Sequence, residues 1–348
     1  MNTSKQSLLQ NTILERNQLR EQVLQLTQEN NPLKHEVSIL ASEKNQLQNQ
    51  LHSLTNEYNR LHSYLVEVSK NLLHVLPGHY YSPIHSIEEI KQQENNIWGE
   101  IPNHIEGVDL HEKEQLSLLK QFQNYYNEIS FPIQKATKNK GGRYYSDNQW
   151  YPLGDAVFLY CMIRHLKPKK IIEIGSGFST CVMLDTNELF FDNSISITCI
   201  EPYPERLLSS LKPQDYQTFN LLQKNLQDVT TDFQSLEEND ILFIDSTHVS
   251  KINSDVNRIL FEILPSLNKG VYIHFHDIMY PFQYPKEWIF QGWAWNETYI
   301  LKAFLQYNEH FKICLMNSYL YQFHAQLVDQ ILPNCEGGGS LWLYKAQK

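Results

Sequence analysis

Apolar residues recur every seven positions along the N-terminal fifth of the chain. Leu19, Leu26, Leu33, Leu40, Leu47, Leu54 and Leu61 form the series, and Val68 and Val75 continue it. The offset position is taken by Val23, Asn30, Val37, Lys44, Leu51, Tyr58, Leu65 and Leu72. A 3.5-residue apolar period over this many heptads predicts a coiled-coil helix over residues 1–76. As one helix, residues 19 to 75 would span about 85 Å. Asn30 and Lys44 in the seam lower its stability but fix register and partner number. Pro32 is expected to kink or restart the helix. The stripe predicts self-association or pairing with another protein; the alternative is a solvated helix folded back on its own domain.

Pro77-Gly78 ends that pattern. Residues 77–150 are mixed and read as a cap or linker, with a helix near Glu112–Ile129 and a loop at Lys138-Asn139-Lys140-Gly141-Gly142. Over 151–348, short apolar runs alternate with helical stretches. Predicted strands are Lys170–Ile174, Ile195–Glu201, Thr218–Gln223, Ile241–Asp245, Val271–His276, Phe311–Met316 and Ser340–Tyr344. Helices are predicted at Ser179–Leu189, Pro204–Leu211, Ile252–Leu264 and Asn296–Tyr307. This alternation predicts an α/β fold with a Rossmann-like, doubly wound, mostly parallel seven-stranded sheet. Ligands of such sheets bind at the carboxyl ends of the strands.

Composition narrows the function classes. The net charge of −10 argues against non-specific nucleic-acid binding, which needs cations to neutralise phosphates. Residues 1–76 carry seven basic and seven acidic side chains, so the whole imbalance lies in the remainder. Five cysteines, an odd number without a CxxC pair, predict free thiols in a reducing compartment. No signal peptide is evident and no apolar run reaches membrane-spanning length, so a cytoplasmic location is expected.

The first strand of the α/β region ends in Glu173-Ile174-Gly175-Ser176-Gly177-Phe178-Ser179. Glycines here allow a tight turn and close approach of a ligand, and the following helix offers free N–H groups. Glu201 ends the second strand, where an acid suits the two hydroxyls of a ribose. The third glycine of GxGxxG is Thr180, which disfavours a pyrophosphate-binding dinucleotide site. A turn needing glycine for steric reasons alone is the plain alternative.

Residues 171–201 resemble the first two motifs of class I S-adenosylmethionine-dependent methyltransferases, and Glu173–Thr180 resembles the catechol O-methyltransferase-like and methyltransferase-24 branch. The resemblance implies that Glu173 meets the methionine ammonium group of S-adenosylmethionine and that Gly175, Ser176 and Gly177 line the cofactor. It further implies that Glu201 holds the ribose and Gln227 the adenine, and it places Tyr151 and Asp155 over the cofactor.

The fourth and fifth strands end in Asp245-Ser246-Thr247-His248 and His274-Phe275-His276-Asp277. Adjacent parallel strands would gather Asp245, His248, His276 and Asp277 at the ligand edge, a set able to bind a divalent cation or supply a general base. By the same resemblance Asp245 and Asp277 would bind magnesium, Asp245 would also border the cofactor, and His248 would be the base. Ile278 stands where the family has its third ligand, so either His276 substitutes for it or no metal is bound. His274 shares strand parity with His276 and is expected to pack beside it. A hydrogen-bonded core network is the plain reading of the whole cluster. The aromatic run Tyr280–Trp288, with Trp293 and Trp295, reads as a loop over the site.

These features predict a methyltransferase, with a hydroxylated small molecule or glycan as acceptor and a homo-oligomer formed through the N-terminal helix. A metal-dependent oxygenase on the same fold, or a non-catalytic coiled-coil scaffold with a degenerate domain, are the alternatives.

Overall fold

A computed structural model describes residues 2–72, 74–128, 131–135, 141–335 and 337–347; the loop read at Lys138–Lys140 lies outside them. The chain divides into two compact units, Met1–Pro83 and Ile84–Lys348. The first is dominated by a 71-residue helix, Asn2–Leu72, which runs through Pro32 without a break. A proline removes one N–H and so one intrahelical bond. On a helix exposed as fully as this one, water can take the freed carbonyl, so the restart expected at Pro32 does not occur. Leu26, Leu33, Leu40, Leu47 and Leu54 are each 57–66% exposed. Among the described residues no helix is long and apolar enough to cross a membrane.

The second unit is built on a seven-stranded sheet, in the order β3-β2-β1-β4-β5-β7-β6. The strands are β1 Lys170–Ile174, β2 Ser196–Ile200, β3 Phe219–Leu222, β4 Ile241–Ile244, β5 Tyr272–Phe275, β6 Phe311–Met316 and β7 Leu341–Lys345. β1 to β5 are mutually parallel and β7 runs antiparallel to both its neighbours. Central strands are covered on both faces, which is why β4 reads Ile-Leu-Phe-Ile without alternation and is buried throughout. Between β1 and β4 the chain reverses its direction of travel across the sheet, and a crevice opens at such a point.

Two long helices, of 14 and 15 residues, were not legible in the sequence. Leu153–Leu166 has eleven of its fourteen residues buried, so it shows no polar face for periodicity to detect. Asn317–Ile331 joins β6 to the approach of β7. The helix Glu112–Tyr126 ends short of the expected Ile129, which lies outside the described residues. Its Leu119 and Phe122 belong to the main core, with Phe122 edge-on to Phe158. This part of the region read as a cap is therefore built into the body of the second unit. All five cysteines are free and four are buried.

Candidate active site

Gly175 sits where β1 turns away at the switch point. Its φ is +92°, and a Cβ there would lie 2.0 Å from the Asp245 carbonyl oxygen. Only glycine satisfies both the left-handed backbone and the contact with the end of β4. The peptide N–H of Gly175 donates to Ile200 O and that of Asp245 to Ile174 O, so three strand ends are tied together.

Two cavities open above these ends. One, of about 380 Å³, is lined by Gly175, Glu201, Tyr203, Leu226, Gln227 and Asn253, with Asp245, Ser246 and Thr247 on its far wall. The other, of about 310 Å³, shares Asp245, Ser246 and Thr247 and adds Tyr151, Ser176, Gly177, His248, His276, Asp277 and Trp295. In the first, Glu201 accepts from the backbone N–H of Ser176 at 3.2 Å and of Tyr203 at 2.7 Å, so its carboxylate is held at the rim. Gln227 donates its amide N–H to Asn253 O at 2.7 Å. The Ser176 and Ser246 hydroxyls are buried with no partner among the described residues. Buried polar atoms of this kind call for a partner from outside the chain.

Glu173, expected at the cofactor, is turned into the core. Its side chain is fully buried and lines neither cavity. Ser179 Oγ donates to one carboxylate oxygen at 2.6 Å; Thr180 Oγ1 at 2.6 Å and Cys199 Sγ at 3.1 Å donate to the other. With both oxygens engaged, it ties β1 to the helix Phe178–Phe190 and to β2. Burial pushes its pKa up to about 7, against the lowering effect of its three donors. Asp155 is likewise turned inward: it accepts from Asn317 Nδ2, Gly339 N and Ser340 Oγ, while Tyr151 lines the second cavity.

The acid–imidazole cluster assembles from the segments that leave β4 and β5. Asp245 Oδ1 lies 3.5 Å and Asp277 Oδ2 3.7 Å from His248 Nε2. His248 and Asp277 both adopt left-handed backbone, each with φ of 58°. For non-glycine residues that conformation costs of order 1 kcal/mol or more, and it persists at sites where the surroundings impose it. Burial raises the pKa of Asp245, but the facing His276 and His248 outweigh it and hold the carboxyl down at about 2. Burial lowers the pKa of His248, yet hydrogen bonds that it donates to Asp245 and Glu297 carry it well above the ordinary histidine value.

Asp245, His248 and Asp277 each offer a ligand atom, all within 4.8 Å of one another. That grouping brings in His248 where His276 was expected. His276 Nε2 stands 3.5 Å from Asp277 Oδ1, with its ring against Tyr151, and it borders the trio. Ile278, in the position of the missing ligand, is fully buried. His274 is buried, stacked on Phe243, and bonded through Nε2 to Ser340 Oγ at 3.0 Å.

Trp295 packs on the His248 ring at 4.3 Å, and Trp288, Trp293 and Trp295 lie 4.7–5.5 Å apart as a wall running out from the second cavity. Sequence reasoning missed Glu297, which is buried and bonded to His248. It lies 49 residues away along the chain, and nothing local marks it as part of the site.

Residues 172–278 match a family model described as a methyltransferase domain. Over 165 residues the chain is 36% identical to an uncharacterised protein of Archaeoglobus fulgidus, a match covering 47% of this chain and 74% of that one. Among solved structures, it is similar to an SAH-bound methyltransferase from Podospora anserina, with 13% identity, 78% of this chain and 99% of that one covered, and a TM-score of 0.37. It is also similar to a putative O-methyltransferase from Klebsiella pneumoniae, with 13% identity, coverage of 66% and 90%, and a TM-score of 0.35.

Proposed function

We propose that this chain, whose residues 172–278 match a methyltransferase domain family, is an S-adenosylmethionine-dependent enzyme that methylates a hydroxyl group of a small molecule or glycan, with His248 receiving the hydroxyl proton. One juxtaposition carries the reading. A cavity rimmed by an acid suited to a ribose, Glu201, meets a cavity holding an imidazole, and the two share Asp245, Ser246 and Thr247. A nucleoside in the first would direct its tail along Ser176 and Gly177 towards the second, where the unpaired Ser176 and Ser246 hydroxyls fit a polar ligand.

When bound, the cofactor supplies an electrophilic methyl group on a sulfonium. The chain's part is alignment and proton removal. Asp245, ionised at neutral pH, orients the acceptor hydroxyl. His248 presents Nε2 to the same space. With Asp245 and Asp277 both facing it, Nε2 retains a proton; an acceptor or cation that engages those carboxylates frees its lone pair. The carboxylates of Asp245 and Asp277 would hold a divalent cation such as magnesium, with His276 alongside, and a bound cation would polarise the hydroxyl while His248 keeps its lone pair for the proton. The tryptophan wall offers ring faces to a sugar or an aromatic acceptor.

The exposed heptad stripe of Asn2–Leu72 supports a second copy of this chain as its partner, through a coiled coil with Asn30 in the seam.

The test is calorimetry with S-adenosylmethionine, followed by transfer of labelled methyl to a panel of hydroxylated and amine acceptors. Glu201→Ala should weaken cofactor binding about 10-fold or more, the equivalent of one charged hydrogen bond. His248→Ala should abolish turnover while leaving that binding unchanged. Absence of cofactor binding, or labelling of amines alone, would overturn the reading.

A further inference from the structure

The residues around His248 converge on it from one segment, Trp295-Asn296-Glu297, at the start of the helix Glu297–Leu305. Trp295 covers the ring face. The backbone N–H groups of Asn296 and Glu297 both donate to the His248 carbonyl oxygen at 3.1 Å. The Asn296 side chain clasps the loop further along, accepting from Ser250 N and donating to Ser250 O. Glu297 then turns its side chain inward and sets Oε2 2.8 Å from His248 Nδ1.

A glutamate in the first turn of a helix ordinarily favours the helix from the surface, where its charge meets the positive end of the dipole at no desolvation cost. Glu297 is instead 1% exposed. Its second oxygen, Oε1, is buried with no hydrogen-bond partner among the described residues. A buried carboxylate without an arginine or lysine partner is expensive to maintain, and such a group is kept where it does something specific. The cost here is tied to one contact: it holds the Nδ1–H of His248. The other ring nitrogen is thereby turned into the cavity, 3.5 Å from Asp245 and 3.7 Å from Asp277.

We infer that Glu297 is the positioning residue of the site. It binds neither cofactor nor acceptor, but fixes the His248 ring with Nδ1 protonated and Nε2 presented to the acceptor. The inference rests on the reading of His248 as the proton acceptor, and it can be tested without knowing the acceptor.

The full-length chain is labelled with ¹⁵N-histidine, and its imidazole N–H resonances are compared with those of His248→Ala, Glu297→Ala and Glu297→Gln. The wild type should show one downfield, slowly exchanging imidazole N–H that disappears in His248→Ala, which assigns it. Glu297→Ala should lose it; Glu297→Gln, which keeps an acceptor oxygen but no charge, should retain it displaced upfield. Calorimetry with S-adenosylhomocysteine serves as the folding control, and its dissociation constant should stay within about twofold of wild type in both Glu297 variants. Once an acceptor is in hand, Glu297→Ala should lower kcat about 100-fold with little change in KM, within the range that general-base assistance contributes. Absence of a His248-dependent resonance in the wild type, or its survival in Glu297→Ala, would overturn the inference. If the resonances behave as expected but no hydroxyl is methylated, it is the O-methylation reading that fails.

Discussion

Glu173 stands in a motif position yet is bonded wholly within the core. Its place before the glycines suggests a cofactor contact, while Ser179, Thr180 and Cys199 each donate to its buried carboxylate. Its folded pKa of about 7 stands above the unfolded value of 4.5. The neutral form is therefore the one the fold favours. Its stabilising contribution is fully present below pH 4.5 and is lost as the pH rises through 7, and the difference corresponds to about 3 kcal/mol. Glu173→Gln has no proton to lose. In urea titrations at pH 5 and pH 8, the wild type should lose most of that amount relative to the variant; equal losses in the two proteins would refute the assignment. The glycine beside it was readable from sequence, because a turn at a strand end needs the left-handed region and a close approach. The inward turn of Glu173 was not, since Cys199 meets it only through the pairing of β1 with β2.

At the scale of elements, the segment that leads to Tyr151, on the wall of the second cavity, is anchored by the buried Arg143. Its guanidinium bonds Asp215 through Nε at 2.7 Å and also through Nη2, and it meets Asp185 at 2.8 Å and Glu188 at 2.7 Å. The backbone N–H groups of Arg143 and Tyr144 add further bonds to Asp185. Removing one member of a buried ion network strands the remaining charges, at a cost of about 3–5 kcal/mol. Arg143→Ala should lower unfolding stability by that amount in denaturant titration, whereas a change below about 1 kcal/mol would show the network to be dispensable. The strands that frame the site were predicted from apolar runs to within a residue or two. The helix Leu153–Leu166 was not, because burial on nearly all sides erases the polar stripe by which a helix is recognised.

At the scale of the whole molecule, the two units obey different rules. The second encloses its own core. The first presents leucines every seven residues to solvent, an arrangement that a second helix would cover. The double substitution Leu40→Lys and Leu47→Lys places charges in that seam without touching the sheet. Light scattering should show the full-length chain as an oligomer and the variant at the monomer mass; a monomeric wild type would rule out self-association.

The sequence by itself determined what depends on near neighbours. The heptad stripe, the seven strands and their order along the chain, the glycine turn at 175, and the acids and imidazoles at the ends of β4 and β5 all follow from spacings of two to seven residues, which set which face of an element a side chain occupies. The tertiary structure alone decided which distant groups meet. It withdrew Glu173 from the cavity, grouped His248 with the two aspartates, with His276 bordering them, and brought Glu297 to the far side of the ring. Those outcomes depend on desolvation and on donors and acceptors contributed by separate strands and helices, quantities that exist only once the sheet and its covering helices have assembled.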